Sequence, residues 1–355
     1  MRVVLFYRST LSIGNSNNFH LLKGLTSEFN RRGHEAQNFD TSQLSLDDLE
    51  LDSILSGADL ILVHEMNDPE WIERLGLHHL NHKKAVLLFH DTCHQSGTKL
   101  GKIDLAHYDG VLAYGQTLAE LYLNQGVTQN AWAWYEAVDP KLFRPMESLQ
   151  KDGDLIWIGN WGNEERAREY EEFLIGPARD LGIATRMHGA HYTQLAQLLL
   201  EESGIEYGGW LAPSRIPEAF SKFTFTLHIP RQPIDQRLAG IPGIRVFEAL
   251  ACGIPLVCTP GADQEGLFTA GDDYAIARNG QEMRRLMKTL LFEPEFATEL
   301  GRQGRETLLT RHTWAHRVDE LLSIYSKLRP QKPNTSQGLK TSLEGEHSYA
   351  TKLQR

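Results

Sequence analysis

One short segment combines the residue types that a phosphate and a ribose would need. Residues 242–253 read PGIRVFEALACG, a pattern that predicts a helix over Ile244–Cys252 closed by Gly253. The backbone N–H groups at a helix start, with Arg245 in the first turn, would attract a phosphate. Glu248 follows one turn later, where its carboxylate can accept hydrogen bonds from paired hydroxyls. The segment predicts a nucleotide site; the alternative is an ordinary core helix whose glutamate makes a local bond.

Two further segments could contact a diphosphate. A glycine-bearing loop follows a strand and precedes a helix, so its backbone N–H groups could face a phosphate. Arg231 follows another strand end and could pair with a phosphate through two parallel hydrogen bonds. The alternatives are a plain strand-to-helix turn and a solvated loop arginine. The backbone positions predicted to line the phosphate site are Gly243, Ile244, Gly159, Asn160 and Gly162.

Composition narrows the class of protein. The 355 residues are 41% hydrophobic and 23% charged, as in an ordinary globular protein long enough for two domains. The net charge of −10, with no basic run, argues against nucleic-acid binding. Three cysteines without a CxxC pair predict no disulfide framework, and no apolar stretch is long enough for a membrane span or signal peptide. We expect a cytoplasmic protein.

The order of apolar runs and amphipathic segments predicts an α/β fold with parallel sheets. Strands are expected at 3–7, 36–39, 58–64, 85–90 and 110–114, and a second set at 155–159, 184–188, 206–210, 223–229, 255–259 and 274–277. The polar run after Pro145 predicts a linker. The expected domains are therefore 1–145 and 146–329, followed by a disordered polar tail at 330–355.

The helix at 244–252 resembles the hallmark of GT-B glycosyltransferases, in which Phe-Glu-Ala-x-Ala-Cys-Gly-x-Pro is followed by a strand. Its nearest resemblance is to the CgeB-like (spore-coat type) branch. Residues 138–145, VDPKLFRP, resemble the step between the two domains of that superfamily. The resemblance implies two Rossmann-like domains facing across a cleft, with the last helix crossing back to the first domain.

The same resemblance implies roles for further residues. Arg166 would be a basic residue near the diphosphate, and the segment with Trp210 and Leu211 would hold the nucleobase. Gly14 and Asn15, with His20 as a weaker candidate, would reach over the donor from the first domain. Alternatives are a surface arginine, a core tryptophan and a helix cap. His90 and Asp91 would lie at a strand end facing the cleft, with Asp91 as a possible general base.

The implied activity is transfer of a sugar, of hexosyl type, from a nucleotide-diphosphate donor, with UDP as the default base. Arg245 would stabilise the leaving diphosphate without a metal. Retention of configuration is implied, although many retaining relatives carry a glutamate where this chain has Gly240. The alternatives are a nucleotide-sugar 2-epimerase and a non-catalytic nucleotide- or glycan-binding relative. The acceptor could be a glycan, a protein or a small molecule.

Histidine pairs invite a metal interpretation that the sequence does not favour. His90 and His94 stand four residues apart, but a zincin needs HExxH on a helix, and here the segment ends a strand. His78, His79 and His82 are expected to form a solvated helix face. We therefore predict no metal site.

Overall fold

The computed structural model describes residues 1–9, 20–45, 47–82, 84–92, 101–147, 150–230 and 240–329. Two six-stranded parallel sheets form its framework, one in each half of the chain. The first sheet contains β1 (Arg2–Tyr7), β2 (Glu35–Asp40), β3 (Leu60–His64), β4 (Val86–Asp91), β5 (Gly110–Ala113) and β6 (Ala131–Ala133). The second contains β7 (Leu155–Ile158), β8 (Thr185–His188), β9 (Ile205–Tyr207), β10 (Phe225–His228), β11 (Leu256–Cys258) and β12 (Ala275–Ile276).

Helices cover both faces of each sheet. In the first half they are α1 (Thr26–Arg31), preceded by a π-helical turn at Leu21–Leu25, α2 (Asp48–Leu55), α3 (Pro69–His82) and α4 (Gln116–Asn124). In the second half they are α5 (Glu164–Tyr170), α6 (Gly176–Leu181), α7 (Gln194–Glu202), α8 (Ile216–Ser221), α9 (Ile244–Cys252), α10 (Gly280–Phe292), α11 (Pro294–Arg311) and α12 (Trp314–Leu328). A π-helical turn at Glu171–Ile175 joins α5 to α6.

The strand orders are β2-β1-β3-β4-β5-β6 and β12-β11-β10-β7-β8-β9. Their central strands read as continuous apolar runs because both faces are covered, as parallel sheets require. The order changes direction next to β1 in the first sheet and next to β7 in the second. Such switch points are where ligands of open α/β sheets bind, beyond the carboxyl ends of the strands.

The last helix packs on the first sheet rather than the second. Trp314, Val318 and Leu321 of α12 share a buried cluster with residues of β1 and α1. An ion pair between Asp319 of α12 and Arg32, the residue after α1, is 2.5 Å long. Helix α12, which follows the second sheet in the chain, thus connects the two halves through its packing on the first sheet.

The histidine-bearing helix departs from expectation. His78 and His79 of α3 are only 8% and 7% exposed, so the predicted solvated face is wrong for both. His78 pairs with Asp52 and His79 with Asp109. The carboxylates of neighbouring elements offset the cost of burying imidazoles, which the sequence of α3 alone does not reveal.

Candidate functional site

The carboxyl ends of both sheets meet across a cleft. The Tyr114 hydroxyl, just after β5, donates to the backbone carbonyl of Pro242 at 2.7 Å. His20 of the first half lies 2.8 Å from Glu248 of the second. The predicted nucleotide helix therefore begins at the boundary between the two sheets.

Helix α9 has the predicted limits. Gly243 precedes it in an extended conformation, and Gly253 ends it with φ 67° and ψ 20°. The hydrogen bond from Gly253 N to Leu250 O is 3.0 Å. A left-handed cap of this kind favours glycine, which is why the sequence located the helix end so closely. Its N-terminal turn is buried, with Ile244 7% exposed, and none of the described side chains caps its first N–H groups.

Glu248 is fully buried and already bonded by the protein. One carboxylate oxygen lies 2.8 Å from Nε2 of His20, and the other accepts a hydrogen bond from the guanidinium of Arg245. Burial would raise the pKa of Glu248, but Arg245 and His20 outweigh it and leave the pKa below its usual value. Glu248 is thus a buried carboxylate anion. In this arrangement both oxygens of Glu248 are in contact with side chains of the protein.

Arg245 is held close to the helix that carries it. Its side chain is 25% exposed and bridges one turn of α9 to Glu248. The same guanidinium has further N–H donors, because an arginine offers five. It can therefore keep Glu248 charged and still present donors to an anion at the helix start.

The position that resembling enzymes fill with a first glutamate is structurally fixed as glycine. Gly240 has φ +81°, and a Cβ placed on it would lie 2.2 Å from Cγ of Gln264. The backbone N–H of Gln264 also bonds the Gly240 carbonyl at 2.6 Å. The side chain of Gln264 therefore fills the space beside Gly240, and no larger residue fits without moving it.

The loop after β7 is tied to the neighbouring loop after β8. Gly159 N donates to the His188 carbonyl at 2.8 Å, and the Asn160 side chain accepts from Ala190 N at 3.0 Å. Gly162 has φ +95°, a conformation that favours glycine. These contacts hold the loop at the carboxyl edge of the second sheet.

Arg166 is held by bonds within the protein. It is 8% exposed and donates to the Pro230 carbonyl at 2.9 Å, to the Ile229 carbonyl and to the Tyr170 hydroxyl at 3.1 Å. Its guanidinium also lies over the Tyr170 ring, 4.9 Å from the centroid. These bonds hold the backbone of residues 229 and 230 at the end of β10, and the predicted contact of Arg166 with a diphosphate stays a prediction. The guanidinium satisfies carbonyls at a strand end that would otherwise lack donors.

The predicted base-binding segment lies after β9. Trp210 is 46% exposed, and Leu211 is half-buried against the core around α9. The carbonyl of Gly209 accepts hydrogen bonds from Gly189 N and from the His188 ring. An exposed indole on a fixed backbone can stack on a nucleobase.

His90 and Asp91 do not share a site, because adjacent residues of a strand point to opposite faces. His90 lies edge-on to Trp134, with ring centroids 4.8 Å apart, on the face that α12 covers. Asp91 is fully buried on the other face and accepts from the Tyr122 hydroxyl at 2.6 Å. The two side chains therefore lie in different surroundings, and their predicted roles stay predictions.

A narrow cavity, about 10 Å³ in volume, lies at the carboxyl edge of the first sheet. His64, His90 and Glu136 line it, together with aromatic side chains. Three atoms, His64 Nε2, His90 Nδ1 and Glu136 Oε1, make no hydrogen bond within the described part of the chain. Burial, with the nearby charge of Glu248, raises the pKa of Glu136 to about 8. Burial lowers the pKa of His64 to about 4, so this histidine is neutral.

Sequence reasoning missed Glu136 because it missed β6. That strand has three residues and no β-branched side chain, although Trp132 and Trp134 alternate with alanines as a strand pattern would. It also missed Glu265, which accepts from the backbone N–H groups of α4 across the cleft. Gly14, Asn15, Arg231, His94 and the tail at 330–355 lie outside the described residues.

Another cavity, about 760 Å³, lies at the other edge of the first sheet and contains none of the predicted site residues. Among the described residues, no helix is both long enough and apolar enough to span a membrane. Neither observation moves the candidate site away from the cleft.

Residues 166–323 match the family model described as glycosyl transferase-like. The sequence comparison with curated proteins found no match. Solved structures share the fold over nearly the whole chain. A glycosyltransferase from Rickettsia africae is 10% identical, with a TM-score of 0.69, and the match covers 93% of this chain and 99% of that one.

Two other solved structures have a similar fold. Anabaena HepE, in complex with UDP-glucose, is 12% identical with a TM-score of 0.65, and the match covers 92% of this chain and 100% of that one. Sucrose-phosphate synthase from Thermosynechococcus elongatus is 13% identical with a TM-score of 0.64, covering 92% and 98%. At these identities the likeness establishes the fold alone. This chain has the GT-B fold of two parallel-sheet domains facing across a cleft, and its C-terminal half matches the glycosyl transferase-like family.

Proposed function

We propose that this protein is a glycosyltransferase that moves a sugar from a nucleotide-diphosphate donor to a hydroxyl acceptor. The observation that carries the proposal is the start of α9 at the cleft, where Arg245 and the buried anion Glu248 follow an open helix N-terminus. Helix N–H groups and Arg245 would hold the diphosphate, and Glu248 the ribose. The match of residues 166–323 to a glycosyl transferase-like family supports it.

The protein's part in the chemistry is to stabilise the diphosphate as it leaves the anomeric carbon. The bond from that carbon to the diphosphate oxygen breaks, a bond to the acceptor oxygen forms, and the acceptor proton goes to a base. Arg245 and the helix dipole would stabilise the developing charge. No metal is needed for this scheme. We propose that the nucleotide of the donor is UDP and that its sugar is a hexose. The proposed location of the protein is the cytoplasm.

Arg231 would add a second cation to the diphosphate, and the bonds of Arg166 hold the carbonyls of residues 229 and 230 that precede it in the sequence. Trp210 would stack on the base, with Leu211 behind it. Gly14 and Asn15 would reach the donor from the first domain. His90, beside Glu136 in the narrow cavity, is the proposed group on the acceptor side.

Calorimetric titration with UDP, GDP, ADP, dTDP and CDP tests the nucleotide site. We expect one diphosphate to bind wild type and Glu248→Gln to weaken it about tenfold, or about 1.4 kcal/mol. Glu299→Gln, an exposed glutamate of α11, is the matched control and should bind as wild type does. If Glu248→Gln binds the diphosphate as tightly as wild type and the control do, Glu248 is not part of the site. If wild type binds no diphosphate, the proposed function is wrong.

Turnover then separates the functions. Release of the nucleotide with transfer to an added acceptor identifies a transferase, whereas interconversion of the donor without acceptor identifies an epimerase. A second candidate is a binding protein without turnover, which Gly240 and its neighbour Gln264 favour. Binding of a diphosphate with neither reaction would identify it.

A further inference from the structure

The outer side of the first sheet brings together three groups that bind transition metals. His78 and His82 stand four residues apart on α3, so their side chains share one face of the helix. Asp52 of α2 faces them. We propose that these three residues form a zinc-type metal site, independent of the proposed sugar-transfer function.

The ligand atoms converge on one point. Asp52 Oδ1 lies 2.8 Å from Nε2 of His78 and 3.8 Å from Nε2 of His82, and the three ligand atoms all lie within 4.8 Å of one another. A tetrahedral zinc with bonds of about 2.0–2.1 Å holds neighbouring ligand atoms about 3.3 Å apart. The two separations from Asp52 bracket that spacing. The imidazole rings are stacked with their centroids 4.2 Å apart, so they must turn toward one another to place both Nε2 atoms on one ion.

The tautomer of His82 is already the one that a metal needs. Its Nδ1 lies 2.9 Å from the backbone carbonyl of His78, which can only accept a hydrogen bond. Nδ1 therefore carries the proton, and the lone pair of Nε2 is directed to the side of Asp52. A hydrogen bond at the other ring nitrogen is the usual support of a metal-bound histidine.

The two helices are held in position without the metal. Arg74 of α3 pairs with Asp48 of α2 about one turn from the proposed site. His78 is buried, while Asp52 and His82 are 53% and 49% exposed in their side chains. Rigid helices position ligands more precisely than loops do, and the exposed pair leaves a route for the ion.

Two imidazoles and one carboxylate favour zinc and its neighbours cobalt, nickel and copper over magnesium or calcium, which prefer oxygen ligands. Three protein ligands leave a fourth position for solvent or an external ligand. The metal would take the place of the proton that His78 shares with Asp52. Bound there, it would clamp α2 to α3.

The site lies away from the cleft. Helix α3 follows the carboxyl end of β3 and runs back toward the start of β4 at Val86, so its last turn lies at the amino edge of the sheet. The metal is therefore expected to stabilise the first domain without entering the sugar-transfer chemistry.

Zinc titration of the full chain, free of affinity tags and stripped with EDTA, tests the proposal. We expect one Zn²⁺ per chain for wild type, and at least tenfold weaker binding for His82→Ala and for Asp52→Asn. His191→Asn is the matched control, since it removes an exposed histidine elsewhere and asparagine tolerates its φ of 62°. The control should bind as wild type does.

Thermal unfolding gives a second measurement. Zinc should raise the Tm of wild type and of the control but not that of His82→Ala, and the zinc-free Tm of all three should agree because His82 is half exposed. Absence of zinc binding by wild type, or equal loss in variant and control, would overturn the proposal. UDP binding should be the same with zinc or EDTA, so this outcome is separable from that of the nucleotide experiment.

Discussion

Two buried glutamates near the cleft differ in protonation state because the groups around them differ. Glu248 has Arg245 and His20 against its oxygens, and its pKa is lowered despite full burial. Glu136 has one oxygen without a partner in the described chain, and burial raises its pKa to about 8. A pair of carboxyls whose environments push their pKa values apart is a common arrangement of acid and base groups. Glu136 is thus a neutral acid at pH 7 beside a fixed anion.

The raised pKa of Glu136 has a consequence for stability. The unfolded chain releases this proton near pH 4.5, whereas the folded protein keeps it until about pH 8. The native state therefore holds more protons between these values, and its stability falls as pH rises through that window. We expect Glu136→Gln to gain roughly 3–5 kcal/mol relative to wild type between pH 4.5 and pH 9.

Denaturant unfolding of both proteins at pH 4.5, 6, 7.5 and 9 measures this difference. Because other groups titrate alike in the two proteins, their contributions cancel in the difference. Glu282→Gln, in the partly buried first turn of α10, removes a carboxylate elsewhere and is the matched control. A difference between Glu136→Gln and wild type that stays constant over this range would mean that the Glu136 carboxyl is ionised in the native state.

At the scale of elements, local signals in the sequence were sufficient for most helices and strands. The limits of α9 follow from Gly253, and those of α10 and α11 from caps at Asn279 and Pro294. β6 was missed because its signal is three residues long. The contact of His20 with Glu248 spans 228 positions and depends on how the two sheets dock, so no local pattern contains it.

The docking of α12 depends on one glycine in the π-helical turn before α1. A Cβ on Gly24 would lie 1.9 Å from Nε1 of Trp314, a buried side chain of α12. Alanine favours helices by about 1 kcal/mol over glycine, but overpacking a core costs about 1–3 kcal/mol. We expect Gly24→Ala to destabilise the protein, measured as a lower midpoint of denaturant unfolding.

A second substitution tests the cause of that loss. Trp314→Phe removes Nε1 and leaves a smaller ring, so Gly24→Ala should cost less in its background than in wild type. If the two effects simply add, the clash with Trp314 is not what Gly24 avoids. Helix propensity cannot explain a loss of stability, because alanine is the better helix former of the two residues.

At the scale of the whole molecule, one carboxylate links the two domains at the cleft. Glu265, after β11, accepts from the backbone N–H groups of Gln116 and Thr117 at 3.0 and 3.3 Å. It also accepts from the Tyr135 hydroxyl at 2.6 Å. The N–H groups of Gln116 and Thr117 belong to the first turn of α4 and have no acceptor within that helix. Glu265 therefore caps α4 from the other domain. Gly115 allows the approach, since a Cβ there would lie 2.7 Å from Oε1 of Glu265.

In the same arrangement His20 covers Glu248, so under the proposed function a ribose would reach Glu248 only after the two domains move apart. A protein that binds ligand only in a minor open form shows an affinity reduced by the open fraction. Glu265→Ala removes the cap and should raise that fraction. We expect a larger radius of gyration by small-angle X-ray scattering and a severalfold lower Kd for the nucleoside diphosphate that wild type binds. Tyr135→Phe keeps both bonds to α4 and should shift each quantity less. If Glu265→Ala instead has an unchanged radius of gyration and binds the nucleotide more weakly, Glu265 belongs to the donor site. The cap on α4 would then not control the access of the nucleotide to the cleft.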